Sequence, residues 1–190
     1  MVRYLLGTAA LGCLVGFVVS TSAADNYKVD DVHSSVSFKI RHMDISWVHG
    51  RFNEVSGEFS VDKDDPTKSS FTMTIKADSV DTNNKKRDGH LKSPDFFNAQ
   101  QFPVITFKST EVKPAEGGYE VTGDLTLHGV TKPITFTLKG GKETEFPKGM
   151  QRTGFATDLV LKRADFGIEK FIGMLGDEVH VAVGFEGVKN

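Results

Sequence analysis

The chain has 190 residues, 38% of them hydrophobic and 25% charged, with a formal net charge of -2. That composition excludes intrinsic disorder, which needs fewer apolar residues and more net charge. With 23 basic against 25 acidic residues it offers nucleic acid no general electrostatic hold, and its length suits one domain.

Residues 1–24 read as a secretory signal peptide. Arg3 precedes an uncharged run from Tyr4 to Val19, and the small residues Ser20 to Ala24 follow. Cleavage after Ala24 is expected to release residues 25–190 as one domain. The alternative is a retained membrane anchor, because sixteen uncharged residues approach the roughly 17 of a spanning helix. Cys13 lies inside the apolar run, the wrong place for lipoprotein processing. Without the leader, 22 basic and 25 acidic residues and no cysteine remain. Disulfides, thiol nucleophiles and thiolate metal sites are then excluded. The 166 residues left are enough to build a core unaided.

Along the released chain, apolar residues recur at every second place, which puts them on one face of a strand. The first such segment is Ser35 to Arg41, carrying Val36, Phe38 and Ile40; a less regular one runs from Phe52 to Val61. Phe71, Met73, Ile75 and Ala77 follow, then Val104 to Val112, then Tyr119 to Leu127 with Leu125 in phase. Ile134, Phe136 and Leu138 make the sixth candidate, and Thr153, Phe155, Thr157, Leu159 and Leu161 the seventh. Val179, Val181, Val183 and Phe185 make the eighth. Short links rich in Gly, Pro, Asp and Asn, such as Glu116-Gly117-Gly118, predict antiparallel order.

Strands with one apolar face must hide that face, and closing the sheet does so without leaving an edge. The expected fold is therefore all-β, an eight-stranded antiparallel barrel, with a two-sheet sandwich as competitor. One polar break, residues 83–98, suits a short helical or loop insertion stopped near Pro94. A second irregular stretch, Phe166 to Gly176, carries Ile168, Phe171, Ile172, Met174 and Leu175 among three glycines and suits a lid.

Catalytic signatures are mostly absent. There is no Gly-x-Ser-x-Gly, His-Glu-x-x-His, Gly-x-x-x-x-Gly-Lys-Ser/Thr or Gly-x-Gly-x-x-Gly. The six histidines have no tight ligand spacing, so no metal and no cofactor is expected. Phenylalanine is the informative residue: fourteen of the 15 follow the leader, and Phe38, Phe71, Phe136, Phe155 and Phe185 share inward parity on different strands. An eight-stranded barrel is either just filled by its side chains or holds one small ligand, and parity leaves both open. Arg87-Asp88-Gly89-His90, beside Asp81, offers either a polar head-group site or an ion pair that pins its own loop. An enzyme using His42, His90 and Asp88 as acid and base groups, and a solid barrel binding a protein on its outer face, are the competing classes.

The run from Asp81-Thr82 through Arg87-Asp88-Gly89-His90-Leu91-Lys92-Ser93-Pro94-Asp95-Phe96-Phe97 closely resembles the YceI-like polyisoprenoid-binding family. So do Gly123-Asp124-Leu125-Thr126-Leu127-His128-Gly129-Val130-Thr131-Lys132-Pro133, Phe102 to Thr110 and Asp165-Phe166-Gly167-Ile168. The resemblance covers nearly all of the released chain. It implies an extended, lipocalin-like barrel that holds a long isoprenoid, of quinone or prenyl phosphate type, in an apolar tunnel. A fatty acid or fatty amide is the alternative ligand. It further implies a periplasmic carrier that is not an enzyme, is associated with stress and forms a homodimer; transient contact with a membrane is a separate possibility for such a carrier. On that reading the tunnel is lined by Phe38, Ile40, Phe52, Phe71, Met73, Ile75, Leu125, Leu127, Ile134, Phe136, Phe155, Leu159, Phe171, Val181 and Phe185. His42, Asp81, Arg87, Asp88 and His90 are the candidates for the head group.

Overall fold

The structure is a computed structural model that describes residues 24–190; the leader predicted over residues 1–24 lies, but for Ala24, outside the described residues. Ten strands form one antiparallel sheet: β1 (Asp25–His42), β2 (Ser46–Phe52), β3 (Val55–Val61), β4 (Ser70–Lys76), β5 (Val80–Asp81), β6 (Val104–Ala115), β7 (Gly118–Leu127), β8 (Val130–Glu145), β9 (Gln151–Lys162) and β10 (Leu175–Lys189). The one α-helix among the described residues, α1 (Lys85–Leu91), lies in the polar break between β5 and β6.

The sheet closes because β10 pairs with β1 over most of its length, from Tyr27↔Lys189 to His42↔Leu175. The result is an eight-stranded barrel in which β2 and β3 share one position. β3 pairs with the start of β1 (Tyr27↔Phe59) and β2 with its end (Phe38↔Gly50). The segment Phe52 to Val61, expected as one strand, is thus divided at Asn53-Glu54. There the backbone N–H of Asn53 and that of Glu54 turn aside to donate to the carbonyl and hydroxyl of Ser79. β5 adds only Arg51↔Asp81 and Phe52↔Val80 to the edge of β2.

The tight turns have local causes. His128 and Gly129 join β7 to β8 with φ of 52° and 75°, the double positive φ that a two-residue hairpin of matching twist requires. Helix α1 starts at Asn84, whose side-chain oxygen accepts from the Arg87 N–H at 3.0 Å.

Two apolar clusters fill the barrel's ends differently. In the first, Tyr27, Phe59, Phe71, Phe155 and Phe185 pack with Tyr119. Phe71 on β4 and Phe155 on β9 come from opposite walls and meet edge to face with centroids 5.5 Å apart. Outside this end, Tyr27 donates to Glu143, which Lys63 also holds at 2.7 Å; burial raises the Tyr27 hydroxyl above its ordinary value, and Lys63 lowers Glu143. The second cluster, Val36, Phe52, Val55, Ala77, Val80, Ile105, Leu125 and Phe166, is mostly aliphatic and lies toward α1.

Candidate functional site

Between these clusters lies a cavity of about 660 Å³. That volume falls in the usual range for a small-molecule site. Of the fifteen expected tunnel residues, fourteen line it: Phe38, Ile40, Phe52, Phe71, Met73, Ile75, Leu125, Leu127, Ile134, Phe136, Leu159, Phe171, Val181 and Phe185. Phe155 does not. It has the right parity, but its height along the axis sets it among Phe59, Phe71, Tyr119 and Phe185, where it plugs one end.

Several rings lie along the wall instead of crossing the lumen. Phe38 is paired with Gly50, where a Cβ would stand 2.4 Å from the tip of the ring. The glycine gives that ring a floor to lie on. Phe107 lies over Gly123 in the same way, a Cβ there falling 2.5 Å from it.

The wall also has a seam. Pairing of β8 with β9 runs from Glu145↔Gln151 to Lys139↔Ala156 and stops, although β8 stays paired with β7 back to Val130 and β9 with β10 out to Lys162. Ile134, Phe136, Thr157, Leu159 and Leu161 border this gap and line the main cavity too.

The other end of the cavity is its mouth. His42, Arg87, His90 and Arg163 line the cavity, with Thr72, Thr82, Thr106 and Thr157; no Asp, Glu or Lys does so among the described residues. Of the five head-group candidates, His42, Arg87 and His90 therefore face the cavity, whereas Asp81 and Asp88 do not. Arg87 donates through Nε to the Thr82 hydroxyl at 2.7 Å and through Nη2 to the Thr82 carbonyl at 2.8 Å. Asp88 in turn accepts from the Thr82 N–H at 2.8 Å and from its hydroxyl. The Arg87-to-Asp88 pair thus pins the loop through Thr82 rather than by direct contact. It also fixes the guanidinium at the cavity wall. Asp81 points outward, where the Asn83 N–H, the Asn53 amide and Arg51 lower its pKa. His90 bonds Asp95 through Nε2 at 2.8 Å and sets its ring edge-on to Phe96. Asp95 is held below the usual carboxylate value by His90 and by Lys170.

Arg163 was not singled out in the sequence, though it continues the inward row Thr153, Phe155, Thr157, Leu159, Leu161 with a cation. It is buried. Its Nε donates to the Gly176 carbonyl at 2.9 Å, and Nη1 to those of Ile168 and Lys170 at 3.0 and 2.8 Å. Burial pulls its pKa down, against the pull of Asp177. A single guanidinium therefore shapes the segment expected as a lid. Thr157, in the same row, is buried with a hydroxyl that has no partner among the described residues.

The three carboxylate and imidazole groups that do converge, Asp30, His33 and Glu186, stand away from the cavity lining. Arg152 already occupies them, bonding Asp30 and approaching Glu186 at 3.5 Å, and with His33 it takes the Asp30 pKa down to about 2.

The model of the YceI-like domain matches residues 27–187. A UPF0312 protein of Pseudomonas aeruginosa is 39% identical over 191 residues, covering 100% of both chains. Among solved structures, BcnA of Burkholderia cenocepacia superposes with a TM-score of 0.75 at 27% identity, covering 83% of this chain and 98% of that one. A polyisoprenoid-binding domain from Saccharophagus degradans shares the fold, with a TM-score of 0.63 at 18% identity over 86% of this chain and 98% of that one.

Proposed function

The chain belongs to the YceI-like family, and from that premise we propose that it is a non-enzymatic carrier of a polyisoprenoid lipid, its chain in the cavity and its head at the mouth. One observation carries the reading: an apolar cavity of about 660 Å³ whose charged lining is cationic only. Each methylene drawn out of water contributes about 0.8 kcal/mol, so a hydrocarbon chain supplies the affinity while the polar end sets its orientation. Arg87, whose Nε and Nη2 are held by Thr82, keeps its Nη1 donors for a phosphate or a quinone carbonyl oxygen, while Arg163 spends its donors on backbone carbonyls and contributes its charge. Among the described residues no carboxylate lines the cavity to repel an anion. The polyisoprenoid-binding domain of the same fold supports the choice of ligand class. In this reading residues 1–24 export the chain, it works in the periplasm, and it does so as a homodimer.

The test is to purify the protein without detergent, extract it with organic solvent and weigh the extract by mass spectrometry. An isoprenoid series, spaced by one isoprene unit, is expected at near-stoichiometric amount. Recovery of straight-chain fatty acids or amides would replace the ligand class. An extract without lipid, from protein that also leaves an apolar fluorescent dye unbound, would remove the carrier reading altogether.

A further inference from the structure

Of the ten large apolar side chains that are exposed among the described residues, six lie on two segments at the mouth. Met43 and Ile45 belong to the turn between β1 and β2 and Trp47 to the start of β2, and Phe171, Ile172 and Met174 to the segment that Arg163 organises. The other four, Val32, Val104, Phe146 and Val160, are scattered over separate elements. The two segments are stitched together: the Met43 N–H donates to the Met174 carbonyl at 2.7 Å, and His42 pairs with Leu175. Ile45 is 76% exposed and Met174 55%, values that packing inside a monomer would not leave on large aliphatic groups clustered at one place.

Two further features say what covers this rim. It is continuous with the cavity, since Phe171 and Met174 line the cavity while remaining exposed. Cations also stand behind the apolar tips. The Lys39 ammonium and the Arg41 guanidinium lie 5.0 and 5.1 Å from the Trp47 ring, and Lys170 lies 5.2 Å from that of Phe171. Asp44 and Glu169 are the acids of the two segments and Asp95 pairs with Lys170 at 3.3 Å, whereas Lys39 and Arg41, behind Trp47, form no ion pair among the described residues. Apolar and aromatic tips backed by Lys and Arg match the boundary of an anionic bilayer, where hydrocarbon lies just beneath negative head groups. A second copy docked on the same patch would instead set like charges against each other.

We propose that the rim formed by Met43, Ile45, Trp47, Phe171, Ile172 and Met174 is a docking surface for an anionic lipid bilayer. On it the cavity mouth opens directly into the leaflet, so that a lipid moves between membrane and barrel without crossing water. The inference rests on the carrier reading, and the two fail in distinguishable ways.

Trp47 is the single tryptophan of the chain and reports on the rim alone. The purified protein is mixed with vesicles of phosphatidylcholine, with or without an equal part of phosphatidylglycerol, and Trp47 emission is followed. A blue shift with the anionic vesicles is expected, together with quenching by lipids brominated near the head group and loss of the signal at high salt. The double variant Ile45→Glu/Ile172→Glu, whose two positions do not line the cavity, should weaken vesicle binding roughly tenfold or more. It should still yield the same lipid on solvent extraction. Unshifted emission with anionic vesicles would overturn the docking surface while leaving the carrier reading to its own extraction test. Equal vesicle affinity of the double variant would overturn it too. So would concentration-dependent self-association that the double variant abolishes without any vesicle binding, which assigns the rim to a second copy.

Discussion

The plugged end and the open end of this barrel are built from the same inward-facing rows and reach opposite outcomes. At the plugged end Tyr27, Phe59, Phe71, Tyr119, Phe155 and Phe185 come to one level from six different strands, and their rings meet across the axis. Toward the mouth the corresponding positions hold Val36, Ile40, Val48, Ile75, Ile105, Leu125 and Val181, with Phe38 laid over Gly50. Aliphatic side chains of that size line the walls without bridging them. Whether a barrel of this size is a core or a container thus depends on how many rings share a level, and the count changes along the axis of one molecule.

The largest effect that would disturb this contrast is removal of a plugging ring. Phe155→Ala should cost about 4 kcal/mol of stability, in the range for truncating a buried aromatic residue, and lengthen the cavity into the plugged end. Chemical denaturation measures the first, and uptake of a longer apolar dye the second. At the mouth, Arg163→Met should cost about 3 kcal/mol, because the carbonyls of Ile168, Lys170 and Gly176 lose a charged donor together. The loss should be local: amide exchange from Ile168 to Leu175 speeds up while that of the plugged end is unchanged.

The outside of the barrel offers a titration. Asp30, 12% exposed and paired with Arg152 and His33, has its pKa lowered to about 2 from the ordinary 3.8. A depressed carboxyl stabilises the fold above its unfolded value and loses that contribution as pH falls through the folded one. Asp30→Asn should therefore cost about 2 kcal/mol at neutral pH and nearly nothing near pH 2, as read from denaturation midpoints across that window. Gly50→Ala should cost about 1 to 3 kcal/mol by overpacking, since its Cβ displaces the Phe38 ring into the lumen. Dye capacity should fall with it. The smallest effect has the opposite sign: Thr157→Val removes an unpartnered buried hydroxyl and should raise the stability of the empty protein by up to about 1 kcal/mol.

Much of this barrel was legible in the alternation of apolar residues. That pattern gave a segment for each of the eight barrel positions, though not for β2 or β5, and of the fifteen residues expected to line the tunnel all but Phe155 do so. β2 escaped because its inward row reads Val48, Gly50, Phe52, and a glycine in phase breaks the apolar signal while serving Phe38. Arg163 escaped for the converse reason: a cation at the end of an apolar row reads as the row's end, yet backbone carbonyls satisfy it inside. The cluster Arg87-Asp88-Gly89-His90 was visible, but which of its charges faces the lumen was not, because Thr82 chooses between them.

What the sequence determined alone is the facing of each strand, since side chains alternate by a local property of extended backbone, and the family, through its run of motifs from Asp81 to Phe97. Only the tertiary structure decided which level of the barrel is plugged and which stands empty. Height along the axis depends on the register between strands distant in the chain, so Phe71 and Phe155 meet or miss by an offset that no stretch of sequence carries by itself.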